Sequence, residues 1–226
     1  MSQVIVVSIG TLARNLLWNE RSETRTSHAT TTLITSGDRQ ILVDPSLPGQ
    51  VLDARLFERA GIHADAITDV FLTSFKPVHR RGLGAFRKAT WYLHAPERDA
   101  AQRGLTAALE RARAGAALDL EPLELDQELL ERLQDAPDEL TAGVSLFPLP
   151  GYTPGQCGLL VAQPTRTVII AGDAVATEGH FIAGQVLPGA YDLEQAKASL
   201  LELYEIADMI VPGHDNVFVN PRIAGM

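Results

Sequence analysis

The sequence contains a single cysteine, Cys157, which excludes an intramolecular disulfide and gives no sign of an oxidising compartment. No apolar run approaches the ~20 residues that a membrane-spanning helix needs. The first residues, MSQVIVVSIG, lack the basic start, long apolar stretch and cleavage site of a secretion signal. We therefore expect a cytoplasmic protein with no membrane partner.

Basic side chains are also scarce, since nineteen Lys and Arg stand against twenty-eight Asp and Glu, a formal net charge of −9. Nucleic-acid affinity depends largely on clustered Lys and Arg, so this balance argues against a nucleic-acid partner. Small local basic clusters, such as Arg80 and Arg81, are still compatible with this charge balance. The hydrophobic fraction of 46% is large enough for a substantial core. Nothing in the sequence indicates the oligomeric state.

What the chain does contain is a mixture of short β-rich runs and helical patterns. Strands are predicted at VIVVSIG (4–10), TTTLITS (30–36), RQILVDP (39–45), TDVFLT (68–73), TWYLH (90–94), VSLFPLP (144–150), GLLVA (158–162), TVIIAGD (167–173) and MIVPGH (209–214). Helices are predicted at 51–61, 96–115, 124–135 and 192–207. The pair Gly37-Asp38 predicts a hairpin turn between two of the strands.

The two halves of the chain repeat one pattern, several strands followed by helix and strand. ILVDP (41–45) and VIIAGD (168–173) are counterparts, each an apolar strand that ends in an aspartate. VFLTSF and MIVPGH form a second pair, each a strand followed by a polar loop. The pattern predicts an α/β protein of one domain, residues 1–226, with two sheets covered by helices on both outer faces.

An acid-rich stretch lies between residues 119 and 139, with nine acids and only Arg132 as a base. It predicts a solvated amphipathic helix at 124–135 whose buried side is leucine-rich. The leucines expected to pack inward are Leu125, Leu129, Leu130 and Leu133. The alternative is a docking face for a partner protein.

Four short motifs occur in order along the chain: TSFKPVH (73–79), TPGQ (153–156), Gly172-Asp173 and Pro212-Gly213-His214. Together with the strand LVDP, which ends near Asp44, they resemble the metal-binding loops of metallo-β-lactamase-fold hydrolases along essentially the whole chain. The resemblance implies a four-layer αββα sandwich. It also implies a metal loop of the pattern T-H-x-H-x-D-H, a T-P-G-H loop, a bridging aspartate and a final histidine.

The resemblance also implies that much of the usual two-metal site is missing. Ser74, Lys76 and Gln156 stand where three histidines hold the first metal, and Val78 stands where an aspartate helps to hold the second. A protonated lysine cannot bind a metal, and hydroxyl and amide groups are poor zinc ligands beside imidazole. The side chains that can still bind a metal are His79, Asp173 and His214.

Three functions are compatible with this motif set. The first is a hydrolase with one zinc or iron ion on His79, Asp173 and His214, in which Asp173 and Lys76 are catalytic and Lys76 or an arginine stabilises the developing oxyanion. The second is a metal-free pseudoenzyme, in which Lys76 pairs with Asp173 and a small anionic ligand binds through Lys76, Arg80 and Arg81. The third is a non-catalytic protein that binds a partner through the acidic stretch. The substrate cannot be read from the sequence.

Other residues carry weaker predictions. Cys157 is either a small buried residue or a nucleophile beside the pocket. His28 and His180 either line the mouth of the pocket or are ordinary loop histidines. Asp44 either orients a ligand histidine or caps its strand.

Overall fold

In the computed structural model, which describes residues 2–224, the chain forms two six-stranded sheets. The first contains β1 (Gln3–Ser8), β2 (Thr31–Ser36), β3 (Arg39–Val43), β4 (Asp69–Leu72), β5 (Thr90–Leu93) and β6 (Gln134–Asp135), in that order. The second contains β7 (Glu139–Thr141), β8 (Val144–Pro148), β9 (Cys157–Gln163), β10 (Arg166–Gly172), β11 (Met209–Pro212) and β12 (Phe218–Val219), also in order.

Both sheets are mixed. In the first, β1, β2 and β3 are antiparallel neighbours and β3 to β6 are parallel. In the second, β10 and β11 form the parallel pair.

The helices are α1 (Gly49–Ala60), α2 (Pro77–Arg80), α3 (Ala95–Arg113), α4 (Leu120–Arg132), α5 (Glu178–Ile182), α6 (Leu193–Ile206) and α7 (Pro221–Ala224). Their ends follow the expected chemistry. Gly61, at a φ of 69°, ends α1 because glycine adopts the left-handed conformation without steric cost. The Asp192 carboxylate accepts the Gln195 N–H at the start of α6. Within residues 2–224 no helix is both long and apolar enough to span a membrane.

Buried apolar side chains form three layers that alternate with the sheets. The layer between the two sheets includes Ile34 and Phe71 from the first and Leu159 and Ile170 from the second. On the outer face of the first sheet, α1, α3 and α4 pack through residues such as Leu56, Leu105 and Leu130. On the outer face of the second sheet, α5 and α6 pack through Phe181, Leu200 and Leu203. The four-layer αββα sandwich expected from the sequence is therefore confirmed.

The acid-rich helix is present but begins earlier than predicted. Its first turn is capped by the Asp119 side chain, so α4 runs over 120–132 rather than 124–135. Leu130 and Leu133 are buried, but Leu125 is 54% exposed, so its predicted burial is wrong. The helix register is set by Leu123 and Leu130, which are seven residues apart and pack on the same core, and this turns Leu125 to solvent.

The strand pairs noted as counterparts in the sequence do occupy equivalent places. β3 and β4 are parallel neighbours in the first sheet, as β10 and β11 are in the second. Asp44 and Thr73 follow β3 and β4 directly, while Asp173 directly follows β10 and His214 lies just after β11. Because the carboxyl ends of parallel strands lie at one edge of a sheet, each sheet presents its polar loops together.

Candidate metal centre

Three potential ligands converge where these loops meet. His79 Nε2 lies 3.1 Å from Asp173 Oδ2, and His214 Nε2 lies 3.0 Å from Asp173 Oδ1. One ligand atom from each of the three residues falls within 4.8 Å of the others, and all three residues are buried. His79 is carried by the short helix α2, whereas Asp173 and His214 come from the second sheet. The centre therefore bridges the two halves of the chain.

Asp44 orients His79. Its Oδ2 lies 2.9 Å from His79 Nδ1, and its two oxygens also accept the N–H and the hydroxyl of Thr73, at 2.9 and 2.7 Å. Asp44 has a φ of 51°, an uncommon backbone conformation outside glycine that is compatible with Asp and Asn. Of the two roles considered for Asp44, the orienting role is the one that these contacts support.

His214 is oriented by main-chain oxygens. Its Nδ1 lies 3.0 Å from the His28 carbonyl and 3.2 Å from the Thr11 carbonyl. A carbonyl can only accept a hydrogen bond, so Nδ1 of His214 carries the proton. The same holds for His79, whose Nδ1 faces a carboxylate. In the neutral form of both rings, the Nε2 lone pairs therefore point towards Asp173, the tautomer that metal binding requires.

The contacts with Asp173 are short without being hydrogen bonds. His79 Nε2 and Asp173 Oδ1 are buried and have no hydrogen-bond partner within residues 2–224. The facing atoms nevertheless approach to about 3 Å. Buried polar atoms in folded proteins almost always have a partner. Two imidazole nitrogens and a carboxylate that converge in this way fit zinc or iron(II).

The charges at the centre demand a cation of some kind. Asp44 and Asp173 are buried, and two buried carboxylates beside neutral imidazoles carry an uncompensated negative charge. Burial by itself lowers the pKa of His79, but the charges of Asp173 and Asp44 outweigh it and raise the pKa to about 10. Burial raises the pKa of Asp173, but the nearby His79 and His214 hold it well below its usual range. A divalent metal ion would balance both carboxylates, whereas a proton on His79 would balance one of them.

The three positions at which the resemblance implies histidines are divided between the protein interior and the pocket. Ser74 and Gln156 are fully buried. The Ser74 hydroxyl has no partner within residues 2–224, and the Gln156 amide donates to the Ala171 carbonyl at 3.2 Å. Lys76 instead extends over Tyr152, with its Nζ 3.6 Å from the ring centroid. In the described part of the chain Lys76 makes no ion pair with Asp173, so the predicted pairing of the two is not found.

The pocket above the centre has a volume of about 340 Å³. Asp173 and His214 lie at its base, and Lys76, Arg14 and Tyr152 are among its polar lining. The apolar part of the wall includes Leu12, Leu16, Val78, Leu187 and Pro188. Arg14 and Tyr152 were not predicted from the sequence, because neither belongs to one of the four motifs. A bridge between Thr11 and His28 closes that segment against the site.

The two arginines predicted to bind a ligand do not reach this pocket. Arg80 is buried, donates from Nε to the Phe75 carbonyl at 2.8 Å, and pairs with Asp126 at 2.7 Å. Arg81 is exposed and reaches only the Ser27 carbonyl, at 3.4 Å. The prediction is corrected because α2 turns the Arg80 side chain towards α4 and away from His79.

The structure places the other candidate residues in the pocket, beside His214 or in the apolar core. His180 lines the pocket, with its Nδ1 2.8 Å from the Thr177 hydroxyl, and burial and the charge of His214 lower its pKa. His28 supports His214 through its carbonyl. Cys157 lies in the apolar layer between the sheets, and burial raises the pKa of its thiol to about 12. A thiol with so high a pKa is not an activated nucleophile.

The chain is similar to known proteins in sequence and in fold. A sequence model of the metallo-β-lactamase superfamily matches residues 25–214. The chain belongs to this superfamily. No curated protein sequence matches the chain significantly.

Solved structures show the same fold. One is a metallo-β-lactamase-type protein of Thermotoga maritima, with a TM-score of 0.70 and 19% identity, over 96% of this chain and 99% of the other. A Bacillus thuringiensis AiiA variant with bound N-decanoyl-L-homoserine has a TM-score of 0.62 and 19% identity, over 95% of this chain and 92% of the other. The dizinc quorum-quenching lactonase AidC, bound to its product, has a TM-score of 0.62 and 20% identity, over 84% and 72%.

Proposed function

We propose that this superfamily member is a hydrolase that binds one divalent metal ion through His79, Asp173 and His214. The observation that carries the proposal is the arrangement of the two histidines. Each commits its Nδ1 proton to a carboxylate or carbonyl oxygen, which leaves both Nε2 atoms about 3 Å from Asp173. An unpartnered buried ring nitrogen is costly unless it binds something. A cation between these atoms would satisfy the nitrogens and neutralise the carboxylates.

One ion rather than two is favoured by the residues at the lost positions. Ser74 and Gln156 offer only neutral oxygens, and Lys76 carries a positive charge that would repel a second dication. Three protein ligands with an open position is the usual arrangement of a catalytic zinc. Val78, which stands on the pocket wall, adds no ligand.

The surrounding residues fit the hydrolysis of a small carbonyl compound. A divalent metal bound at the centre would lower the pKa of a water molecule and polarise a carbonyl group. Lys76, held over Tyr152 at the pocket wall, supplies positive charge where negative charge develops on the substrate oxygen. The apolar wall around Leu12 and Leu187 excludes water and holds an apolar substrate moiety.

Esters and lactones are the substrate class that we propose. Of the three structures described above, two hold an N-acyl homoserine, and one of these two is described as a lactonase. At 19–20% identity these likenesses support the proposal only by analogy.

The first test is the metal content of the protein, purified without chelator and again after incubation with excess zinc and gel filtration. We expect about one equivalent of metal per chain in the wild type. The variants His79→Ala and His214→Ala should lose it. His63→Ala is the matched control, because His63 pairs with Asp53 and lies outside the pocket lining. Metal-loaded wild type should then hydrolyse members of an ester and lactone panel, and His214→Ala should not.

A metal-free outcome would favour the second candidate function. If His79 carries a second proton, as its raised pKa allows, the imidazolium lies between Asp44 and Asp173 and balances one of their two negative charges. The pocket would then bind a small anionic ligand through Lys76 and Arg14. Zinc binding that is absent, or equally strong in His214→Ala, contradicts the hydrolase proposal. Thermal stabilisation by anions that Lys76→Ala abolishes and Lys88→Ala preserves would support the alternative.

A further inference from the structure

A second polar cavity of about 290 Å³ lies at the open edge of the first sheet. We call it the β1 cavity; it is lined by residues 6–9, His28, Arg55, Arg59 and Asn216. None of these residues lines the pocket of the candidate metal centre. The sequence analysis assigned no role to Arg55, Arg59 or Asn216.

The cavity is bounded by the free edge of β1. This strand pairs with β2 on one side and is the outermost strand of its sheet. Side chains of a strand alternate between the two faces, yet four consecutive residues, Val6 to Ile9, line the cavity. Consecutive residues can do so here because β1 is the outermost strand and its register shifts between Val6 and Ser8. Edge strands carry backbone N–H groups that have no partner strand.

Ser8 supplies a hydroxyl from the same strand. The residue is only 4% exposed. Its hydroxyl makes no hydrogen bond in the described part of the chain, and the residue lines the cavity. A hydroxyl that borders a cavity and makes no hydrogen bond to the protein can donate to a molecule in that cavity. Ser8 therefore offers the cavity a donor from the strand.

The charge of the cavity is positive, in a chain whose formal net charge is −9. Arg55 and Arg59 are one turn apart on α1, so their side chains lie on the same face of the helix. Neither makes an ion pair within residues 2–224, and no Asp or Glu lines the cavity. Arg39, by contrast, makes a bidentate pair with Asp69.

The remaining lining residues add a donor and a rigid wall. Asn216 accepts the Val217 N–H with its Oδ1, which leaves its amide NH₂ free to donate. The His28 ring is held against β1, with Nε2 3.1 Å from the Ile9 carbonyl. Two guanidinium groups, a hydroxyl and an amide thus surround a volume without a competing carboxylate.

We propose that the β1 cavity binds a tetrahedral oxyanion, the phosphate group of a small molecule. Guanidinium groups bind such groups through paired, charge-assisted hydrogen bonds. Two of them one helical turn apart approach the anion from neighbouring directions, while Ser8 donates from the strand edge. His28 connects the site to the candidate metal centre, because it lines the cavity and its carbonyl accepts the Nδ1 proton of His214. The site does not depend on the proposed hydrolase activity.

The test is a titration of metal-free protein with inorganic phosphate by calorimetry, with chloride used to hold the ionic strength constant. Wild type should bind phosphate and sulfate saturably, and acetate at least about tenfold more weakly. The double variant Arg55→Gln/Arg59→Gln should bind phosphate about tenfold more weakly or worse. Arg103→Gln/Arg113→Gln is the matched control, with the same change of charge on exposed arginines of α3, and it should bind as wild type does.

Two further variants keep the result interpretable. Ser8→Ala should weaken phosphate binding several-fold without any change of charge, and this holds even if the double arginine variant folds poorly. Lys76→Ala separates the two pockets, because Lys76 lines only the other one: phosphate binding that survives this substitution belongs to the β1 cavity.

The proposal is overturned if phosphate binds no better than chloride, or if both double arginine variants lose binding equally. Loss of binding in Lys76→Ala alone would place the anion at the metal centre instead. Acetate that binds as tightly as phosphate would refute the preference for a tetrahedral anion.

Discussion

The substitution Asp44→Asn should weaken metal affinity while leaving the fold intact. The Asp44 carboxylate accepts three hydrogen bonds, from His79 Nδ1, the Thr73 N–H and the Thr73 hydroxyl. An amide in its place has one oxygen and one NH₂ group. The Thr73 N–H can only donate, so the amide oxygen must take the place of Oδ1. The NH₂ group then faces His79 Nδ1, which has to become an acceptor.

That reversal moves the His79 proton to Nε2, the atom that faces Asp173, and a protonated nitrogen cannot bind a metal. Loss of the group that orients a ligand histidine costs about 10–100-fold in metal affinity, or about 1.4–2.8 kcal/mol. The backbone should tolerate the change, because asparagine adopts the φ of 51° found at this position.

The assay is competition for zinc against a chromogenic chelator, with circular dichroism to verify folding. Asp53→Asn is the matched control, because Asp53 also binds a histidine, His63 Nδ1 at 3.0 Å, but outside the pocket lining. A zinc affinity of Asp44→Asn within twofold of wild type, or a loss equal to that of the control, would refute the tautomer argument.

Three further predictions concern stability. Gly172→Ala should lower the free energy of unfolding by about 2–4 kcal/mol, because a φ of 54° is strained for alanine and the new Cβ would clash with the Thr73 hydroxyl. The control Gly184→Ala, at a φ of 61° in open space, should cost only about 1 kcal/mol. Chemical denaturation measures both. Cys157 should resist thiol reagents at pH 8, because its pKa in the folded protein is about 12, above the usual value. The contribution of this shift to the free energy of unfolding is complete below about pH 8.5 and falls as the pH rises. Cys157→Ala should lack this dependence of stability on pH. Asp126→Asn should lower stability by about 1–2 kcal/mol by leaving buried Arg80 without its partner, while ligand binding in the pocket stays unchanged; a loss of binding would instead return Arg80 to the site.

The element pattern of this protein is strongly encoded in local sequence. The hairpin around Gly37-Asp38, the buried strands before Asp44 and Asp173, and the capped start of α6 at Asp192 all follow the predictions. These features depend on side-chain alternation, turn residues and caps, which act over a few residues. The start of α4 was predicted too late because the local cap at Asp119 was overlooked, whereas the exposure of Leu125 depends on packing against the first sheet, which no local pattern contains.

The role of individual polar residues was harder to predict. Lys76 could reach either Asp173 or the opposite wall, and only the position of the Tyr152 ring decides between them. Arg14 lies in a segment without regular periodicity, so its position could not be predicted. A β-bridge between Thr11 and His28 brings that segment over the pocket.

The sequence by itself determined the αββα architecture, the buried strands and the three residues able to bind a metal, because these follow from residue type and order. Only the tertiary structure decided that Asp44 accepts the Nδ1 proton of His79, and that Arg80 pairs with Asp126 and does not line the pocket. It also decided that Arg55 and Arg59 share a cavity with Ser8. Each of these contacts joins residues distant in sequence, or depends on which way a side chain turns within the packed fold. Side-chain direction is set by neighbours that chain order does not specify.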